Sequence, residues 1–259
     1  MALKICVAGA TGRMGRMILA ALVNAGDMQA VAALTHPQSA HLGSVIEGVT
    51  VSTDSHAAIA ACDVLIDFST PADTLENLAL CVALNKPAVV GTTGLNAPEY
   101  GRLQAYSTEI PIVFSANMSL GVNVLQKLVA LAAKALHEQY DIEIIEAHHN
   151  KKVDAPSGTA LMLGNAAAAA IDTALKDVAV YARVGQIGPR TKAEIGFSTI
   201  RGGDIIGDHT VMFAGPGERI ELIHRSQSRS TYAQGALSAA AFVAGKPAGL
   251  YSMADVLGL

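Results

Sequence analysis

The sequence predicts two α/β parts in succession. The first is a doubly wound parallel sheet with helices on both faces. The second is an α+β domain with a mainly antiparallel sheet. Three observations carry this reading. In the first half, short apolar runs alternate with helical patterns. In the second half, strand-like runs follow one another with only glycine-containing turns between them. A final alanine-rich helical segment, 231–245, then remains free to return to the first part.

The elements follow in order. LKICVAG (3–9) reads as a buried strand, and Met14, Ile18, Ala21 and Leu22 mark one face of the next helix. MQAVAAL (28–34) is a second strand and CDVLIDFS (62–69) another; a helix runs from Pro71 to about Leu84. PAVVGTTG (87–94) and PIVFSAN (111–117) repeat the scheme with a helix between them. Strands separated by helices pair in parallel and are covered on both faces. A long helix is predicted from Leu120 to His137, then a strand at DIEIIEAHH (141–149), then a helix from Ser157 to about Leu175. VAVYARV (178–184), EIGFSTIR (194–201), DIIGDHTVMFAG (204–215) and RIELIHRS (219–226) come next as strands. Gly202-Gly203 and Gly215-Pro216-Gly217 lie between them as turns, which implies antiparallel pairing. The expected division is 1–118 with 229–259 as a dinucleotide-binding domain, and 119–228 as a substrate-binding and oligomerisation domain.

Composition narrows the class. The 259 residues are 51% hydrophobic and only 15% charged, with net charge −4. That supports a large core and argues against disorder and against a nucleic-acid partner, which needs a basic surplus. Cys6, Cys62 and Cys81 are odd in number and widely spaced, as expected of buried apolar residues in a reducing cytoplasm. The longest apolar run, LALCVAL (78–84), falls far short of the roughly 20 residues of a membrane span.

GATGRMG (9–15) joins the first strand to the first helix, placing Gly9, Gly12 and Gly15 three apart. At this junction a Rossmann-type site needs glycine so that the backbone turns tightly and a pyrophosphate reaches the helix N-terminus. The second strand ends in Leu34-Thr35-His36, without the carboxylate that would hold the ribose 2′-OH of NAD. With Arg13 near the turn and His36 at the ribose end, the site is expected to tolerate the 2′-phosphate of NADPH. Thr92, Thr93 and Asn117 stand at carboxyl ends of later strands, where the nicotinamide half of a cofactor would lie.

EAHHNKKVDAPSGTA (146–160) concentrates ionisable groups in a chain otherwise poor in them. His148 and His149 are adjacent on a strand and so diverge, and H-E-x-x-H is absent; no metal site is expected. Pro156-Ser157-Gly158-Thr159 opens a helix. Ser157 can cap it, and the N–H groups of Gly158 and Thr159 attract an anion such as a carboxylate. A histidine beside that anion can move a proton near neutral pH. The local chemistry suits a small acidic substrate that is protonated during reaction.

This segment resembles the E-A-H-H-x-x-K-x-D-A-P-S-G-T-A motif of the 4-hydroxy-tetrahydrodipicolinate reductase (dihydrodipicolinate reductase) family. The resemblance continues in VAGATGRMG, IDFSTP, VVGTTG, FSANMSLGVNV, IRGGDIIGDHTVMF and GLYSMADVLGL, over nearly the whole chain. It implies NADH- or NADPH-dependent reduction of a cyclic dicarboxylate in lysine and diaminopimelate biosynthesis, with loss of water and hydride delivery to ring carbon C4. It implies His148 as general acid/base, Lys152 as its partner or proton donor, and His149, Gly158 and Thr159 as substrate contacts. Gly9, Ala10, Thr11, Gly12, Arg13 and Met14 would line the cofactor. So would Gly91, Thr92 and Thr93, and also Ser115, Ala116, Asn117 and Met118. It further implies a homotetramer assembled through the second domain's sheet. Thr35-His36 departs from the acidic-then-basic pair of many relatives, which leaves the choice between NADH and NADPH open. Two other readings compete: another amino-acid-pathway dehydrogenase, such as a homoserine or aspartate dehydrogenase, and a redox sensor that binds dinucleotide without turnover. The His/Lys run argues against the first, and the second would not need it.

Overall fold

The computed structural model describes all 259 residues, 1–259. The element order begins β1 (Leu3–Ala8), α1 (Arg13–Val23), β2 (Met28–Leu34), β3 (Val45–Ile46), β4 (Val49–Ser52), α2 (Ser55–Ala61), β5 (Val64–Asp67) and α3 (Pro71–Ala83). It continues β6 (Ala88–Val90), α4 (Ala97–Ser107), β7 (Pro111–Phe114), α5 (Leu120–Leu136), β8 (Asp141–His148), α6 (Gly158–Ala170) and α7 (Leu175–Val178). The last elements are β9 (Ala179–Val180), β10 (Ile195–Arg201), β11 (Gly207–Gly215), β12 (Glu218–Ser226), α8 (Ser230–Val243), β13 (Gly249–Tyr251) and α9 (Met253–Leu257). Contacts divide the chain into two compact units, Met1–Leu120 with Ser230–Leu259, and Gly121–Arg229. No helix is long and apolar enough to cross a membrane.

The first unit is an eight-stranded sheet of order β13-β7-β6-β5-β1-β2-β4-β3, parallel except for the β3/β4 pair. The two-residue alternation of strands sorts its side chains onto two faces. Val7, Ile66, Val89 and Val113 are register partners in one row, and they pack with Ile18 and Leu19 of α1 and Ala236 and Ala240 of α8. Cys6, Leu65, Ala88 and Ile112 face the other way, onto Ile59 of α2, Leu75 and Leu78 of α3 and Leu103 of α4. Each fully buried Ile or Leu contributes roughly 1.5–3 kcal/mol. Pairing runs outward from β1 in both directions, to β2 on one side and β5 on the other, so a crevice opens at their carboxyl ends.

The second unit is a five-stranded sheet of order β12-β11-β8-β10-β9. Its helices α5 and α6 cover one face, with Val129 and Leu163 packed on Ile144, Phe197, Val211 and Phe213. The antiparallel β8/β11 and β11/β12 ladders hold most of the paired residues, and Pro216-Gly217 closes the β11/β12 hairpin as expected. Three details differ from the expectation. β10 pairs in parallel with β8, because α6 makes the β8-to-β10 connection a crossover; the turn at Gly202-Gly203 therefore closes no hairpin. Only Ala179–Val180 of the 178–184 run is strand. The segment after it is held by ion pairs from Arg183 to Glu143 (2.9 Å) and Glu194 (3.0 Å) rather than by a ladder. The alanine-rich helix stops at Ala170, before Asp172 at φ 53°, and a separate turn of helix, α7, begins at Leu175.

Candidate functional site

In the first unit the glycine turn lies at the carboxyl end of β1. Gly9 has φ +73°, and a Cβ there would stand 2.3 Å from the Phe68 carbonyl oxygen, so both backbone and space demand glycine. A Cβ on Gly15 would lie 2.2 Å from Gly9 O, which lets α1 start tight against the turn. Gly12 precedes the helix without any side-chain cap, and the first turn carries no acidic residue. The N-terminus of α1 thus keeps its positive end open toward an anion. A cavity of ≈360 Å³ adjoins it, lined among others by Gly9, Thr11, Gly12, Thr35, His36 and Phe68. Thr11 and Thr35 join β1 to β2 through their hydroxyls at 2.7 Å. A glycine cradle, an open helix N-terminus and a cavity at the sheet's crevice fit the pyrophosphate and ribose of a dinucleotide.

The other predicted cofactor residues are placed as follows. Ala10 is fully buried, and Arg13 and Met14 form the first turn of α1. Gly91 follows β6, where a Cβ would meet the Phe68 ring at 2.2 Å. Thr92 is buried and Thr93 exposed. After β7, Ser115 Oγ donates to Asn117 O (2.8 Å), Ala116 is exposed, and Met118 is buried in the core below the sheet. The side chains of Thr92 and Met118 therefore serve packing and internal hydrogen bonding rather than an open surface.

In the second unit the centre is Glu146. It lies on β8 in phase with Ile142, Ile144 and His148, on the buried face, and is 0% exposed. Its Oε2 is 2.6 Å from His148 Nδ1, and its Oε1 accepts the Ser157 N–H at 3.0 Å. Arg201, at the end of β10, forks onto both oxygens at 2.8 Å. One carboxylate therefore fixes both the imidazole and the start of α6. Burial would raise the Glu146 pKa, but Arg201, His148 and the Ser157 amide together hold it below the ordinary carboxylate value. Burial lowers the His148 pKa more than Glu146 raises it, and the charges of Lys152 and Arg201 lower it further. A neutral imidazole donating Nδ1–H to Glu146 keeps Nε2 available. A Cβ on Gly207 would come within 3.0 Å of that nitrogen.

Ser157 caps α6 by accepting the Ala160 N–H at 3.1 Å, and its hydroxyl is also 3.1 Å from His209 Nε2. His209 is buried with its ring edge-on to His148 at 5.1 Å, and burial pushes its pKa down to about 4, so it is neutral. Gly158 is exposed, with nothing within 4 Å of a Cβ built on it; Thr159 follows in the same turn. Lys152 Nζ is 2.7 Å from Asp154. His149 lies just past β8, its N–H on Ile205 O at 2.7 Å. The unit thus brings together a proton-carrying imidazole, an ammonium and an open helix N-terminus. No group of three or more His, Cys, Asp or Glu side chains is arranged to hold a metal ion.

The comparisons agree over the whole length. The family described as Dihydrodipicolinate reductase, N-terminus, matches residues 3–118, and its C-terminus counterpart matches residues 121–257. The chain belongs to the dihydrodipicolinate reductase family. A 4-hydroxy-tetrahydrodipicolinate reductase of Cupriavidus metallidurans is 52% identical over 264 residues, covering 99% of this chain and 100% of its own. One from Burkholderia ambifaria is likewise 52% identical, with the same coverage. Among solved structures, a dipicolinate-bound dihydrodipicolinate reductase from Paenisporosarcina sp. TG-14 superposes with TM-score 0.80 at 24% identity. It covers 97% of this chain and 98% of its own, and shows the shared fold.

Sequence reasoning missed Glu146, Arg201 and His209, which the structure gathers around His148 and Ser157. The signal for Glu146 was present: a carboxylate in phase with isoleucines of an alternating strand must be buried, and a buried carboxylate needs partners. No pattern in the sequence paired it with Arg201, which stands 55 residues away.

Proposed function

We propose that this chain reduces 4-hydroxy-tetrahydrodipicolinate to tetrahydrodipicolinate with NADH or NADPH, as an NAD(P)H-dependent oxidoreductase of lysine and diaminopimelate biosynthesis. The observation that carries the reading is the junction at Glu146. One buried carboxylate holds His148 by Nδ1 and the Ser157 turn by its amide. A proton-transfer group and an anion-binding helix start are thereby kept in fixed relation, in a chain half identical to the family's reductases from end to end.

The dinucleotide, when bound, supplies the hydride. The Gly9–Gly12 turn and the first turn of α1 receive its pyrophosphate. His36, with the Thr11–Thr35 hydroxyl pair, stands at its ribose end, where positions 35–36 carry no carboxylate to repel a 2′-phosphate. Direct titration with NADH and NADPH measures the preference. In the second unit, Gly158 and Thr159 receive a substrate carboxylate at the head of α6, and His149 borders it. Loss of the 4-hydroxyl as water takes a proton onto the hydroxyl and returns one from the neighbouring ring carbon. Hydride addition at C4 of the conjugated ring so formed leaves an electron pair that takes up one more, so one proton is consumed overall. Lys152 and His148 supply and relay these protons. Glu146 orients His148 and balances a charge on it, and Arg201 keeps Glu146 ionised.

A homotetramer formed through the second sheet, in the cytoplasm, completes the reading. Two features support assembly: β12 is a nine-residue edge strand, and its Ile220 and Ile223 are each exposed at 42%. Apolar side chains on an open sheet edge favour a second copy over water.

The test is to generate the substrate by condensing pyruvate with aspartate semialdehyde and to follow NADPH or NADH absorbance. Decay with at least one dinucleotide is expected; none with either rejects the reading. His148→Gln and Lys152→Ala should each lower kcat by about 10²–10⁴ with dinucleotide affinity kept. Wild-type turnover in either variant removes that residue from the mechanism.

A further inference from the structure

The reaction above gives no task to Asp67, yet its carboxylate is fully buried. It ends β5 after Val64, Leu65 and Ile66, and its register partners are Ala8 and Val90, so it enters an otherwise apolar row. Its Oδ1 accepts the Ser69 N–H at 2.9 Å and the Ser69 hydroxyl at 2.5 Å. Its Oδ2 accepts Asn77 Nδ2 at 2.9 Å. The hydroxyls of Thr74 and Thr92 lie 3.2 and 3.4 Å from Oδ1 and 2.8 Å from each other. With one proton apiece, one hydroxyl donates to the other, which donates to the carboxylate. No ion pair reaches Asp67; every partner is neutral.

An isolated buried carboxylate is costly, so a fold that retains one uses it to hold something. The donors show what is held. Ser69 belongs to the loop after β5, Thr74 and Asn77 to the first half of α3, and Thr92 to the loop after β6. Between these two loops stands Phe68. Its carbonyl closes on Gly9, its ring closes on Gly91, and it walls the cavity together with Ser69, Thr70 and Asn77.

We propose that Asp67 is a positioning residue of the dinucleotide site. Acceptor-only on both oxygens, it gathers the loops after β5 and β6 around Phe68, and so sets the wall that faces the glycine turn. Asparagine disturbs it: one oxygen becomes an NH₂ that either meets the Ser69 donors head-on or makes Asn77 turn its amide over. The inference rests on the dinucleotide reading of this cavity, and the measurements separate the two.

NADH and NADPH binding is titrated directly, alongside Tm and steady-state kinetics. Asp67→Asn should raise the Kd and KM for dinucleotide about tenfold or more while kcat at saturation stays within about twofold. Thr92→Val, which removes one donor at constant shape, should raise Kd about threefold, and Thr92→Ser should restore it. A folded Asp67→Asn with wild-type Kd for both dinucleotides overturns the proposal, whatever its Tm. If Asp67→Asn does not fold, an unchanged Kd in Thr92→Val and in Ser69→Ala overturns it. Wild-type protein that binds neither dinucleotide rejects the reading of the cavity itself.

Discussion

Glu146 and Asp67 each stand at or near the carboxyl end of a strand, each is fully buried, and each ties a strand to the helix that follows. They are neutralised in opposite ways. Glu146 has a bidentate arginine and an imidazole; Asp67 has only hydroxyls, one amide side chain and one peptide N–H. A cationic partner lets the charge on one group depend on the protonation of its neighbour, which suits a site that moves protons. Neutral donors give geometry without adding a group that titrates near neutral pH, which suits a wall that must keep its shape while a charged cofactor comes and goes.

The largest effect should come from breaking the charged arrangement on one side only. Glu146→Ala leaves Arg201 without its fork and His148 without its orienting partner. A loss of about 3 kcal/mol in denaturant unfolding is expected, at the low end for broken buried pairs because Arg201 keeps some contact with water. A fall in kcat of about 10²–10³ should accompany it. Adding Arg201→Met to Glu146→Ala should recover part of the stability but none of the kcat. Asp67 has no cation to remove, so no second substitution should rescue an Asp67 variant in this way. Additive losses in the Glu146/Arg201 pair would break the comparison.

Acid should single out the second unit next. His209 titrates at about 4 in the folded chain against an ordinary 6.5, so folding favours its neutral form. A depressed histidine contributes its full stability above pH 6.5 and loses it as pH falls toward 4, here on the order of 3 kcal/mol. The lowered His148 acts in the same direction. Glu146, also lowered, contributes fully above the ordinary value of 4.5 and loses its share below that. Unfolding free energy should therefore decline from pH 6.5 downward, and His209→Phe should flatten that decline. An equal slope in the variant would show that burial of His209 does not set its protonation.

Strand and helix periodicity made the first unit largely legible, because β1, β5 and β6 carry short apolar runs separated by helical patterns. The short β3, β4 and α2 between residues 45 and 61 left no such trace, since each is too short for a period to show and most of its positions are exposed or half-buried. The order of the second sheet was not legible: the apolar start of β10 says that it reaches the core but not which strand it pairs with. The Ser157 cap at the start of α6 could be read because capping is local chemistry. The more distant partners of Glu146 and Asp67 could not be read, since Asn77, Ser157, Thr92 and Arg201 lie 10 to 55 positions away and on other elements or loops.

The smallest perturbation tests how finely the charged site is tuned. Gly207 opens β11 opposite Ser226, and a Cβ added there would lie 3.0 Å from His148 Nε2 and 3.5 Å from His209 Cε1. Its φ is not in the left-handed region, so alanine meets no backbone strain, and the added methyl must be absorbed by the imidazole. His148 is gripped at 2.6 Å by Glu146 on its other edge and can yield only by tilting Nε2 away from the position it holds. Gly207→Ala should cost only about 1 kcal/mol in stability. It should nevertheless lower kcat about tenfold, because a misplacement well under 1 Å is enough to misalign a proton transfer. Dinucleotide Kd should not change, since the substitution lies in the unit that does not hold the glycine turn. A Gly207→Ala protein with normal kcat would show that Nε2 has freedom to move, and that the Glu146 clamp is stronger than the chemistry requires.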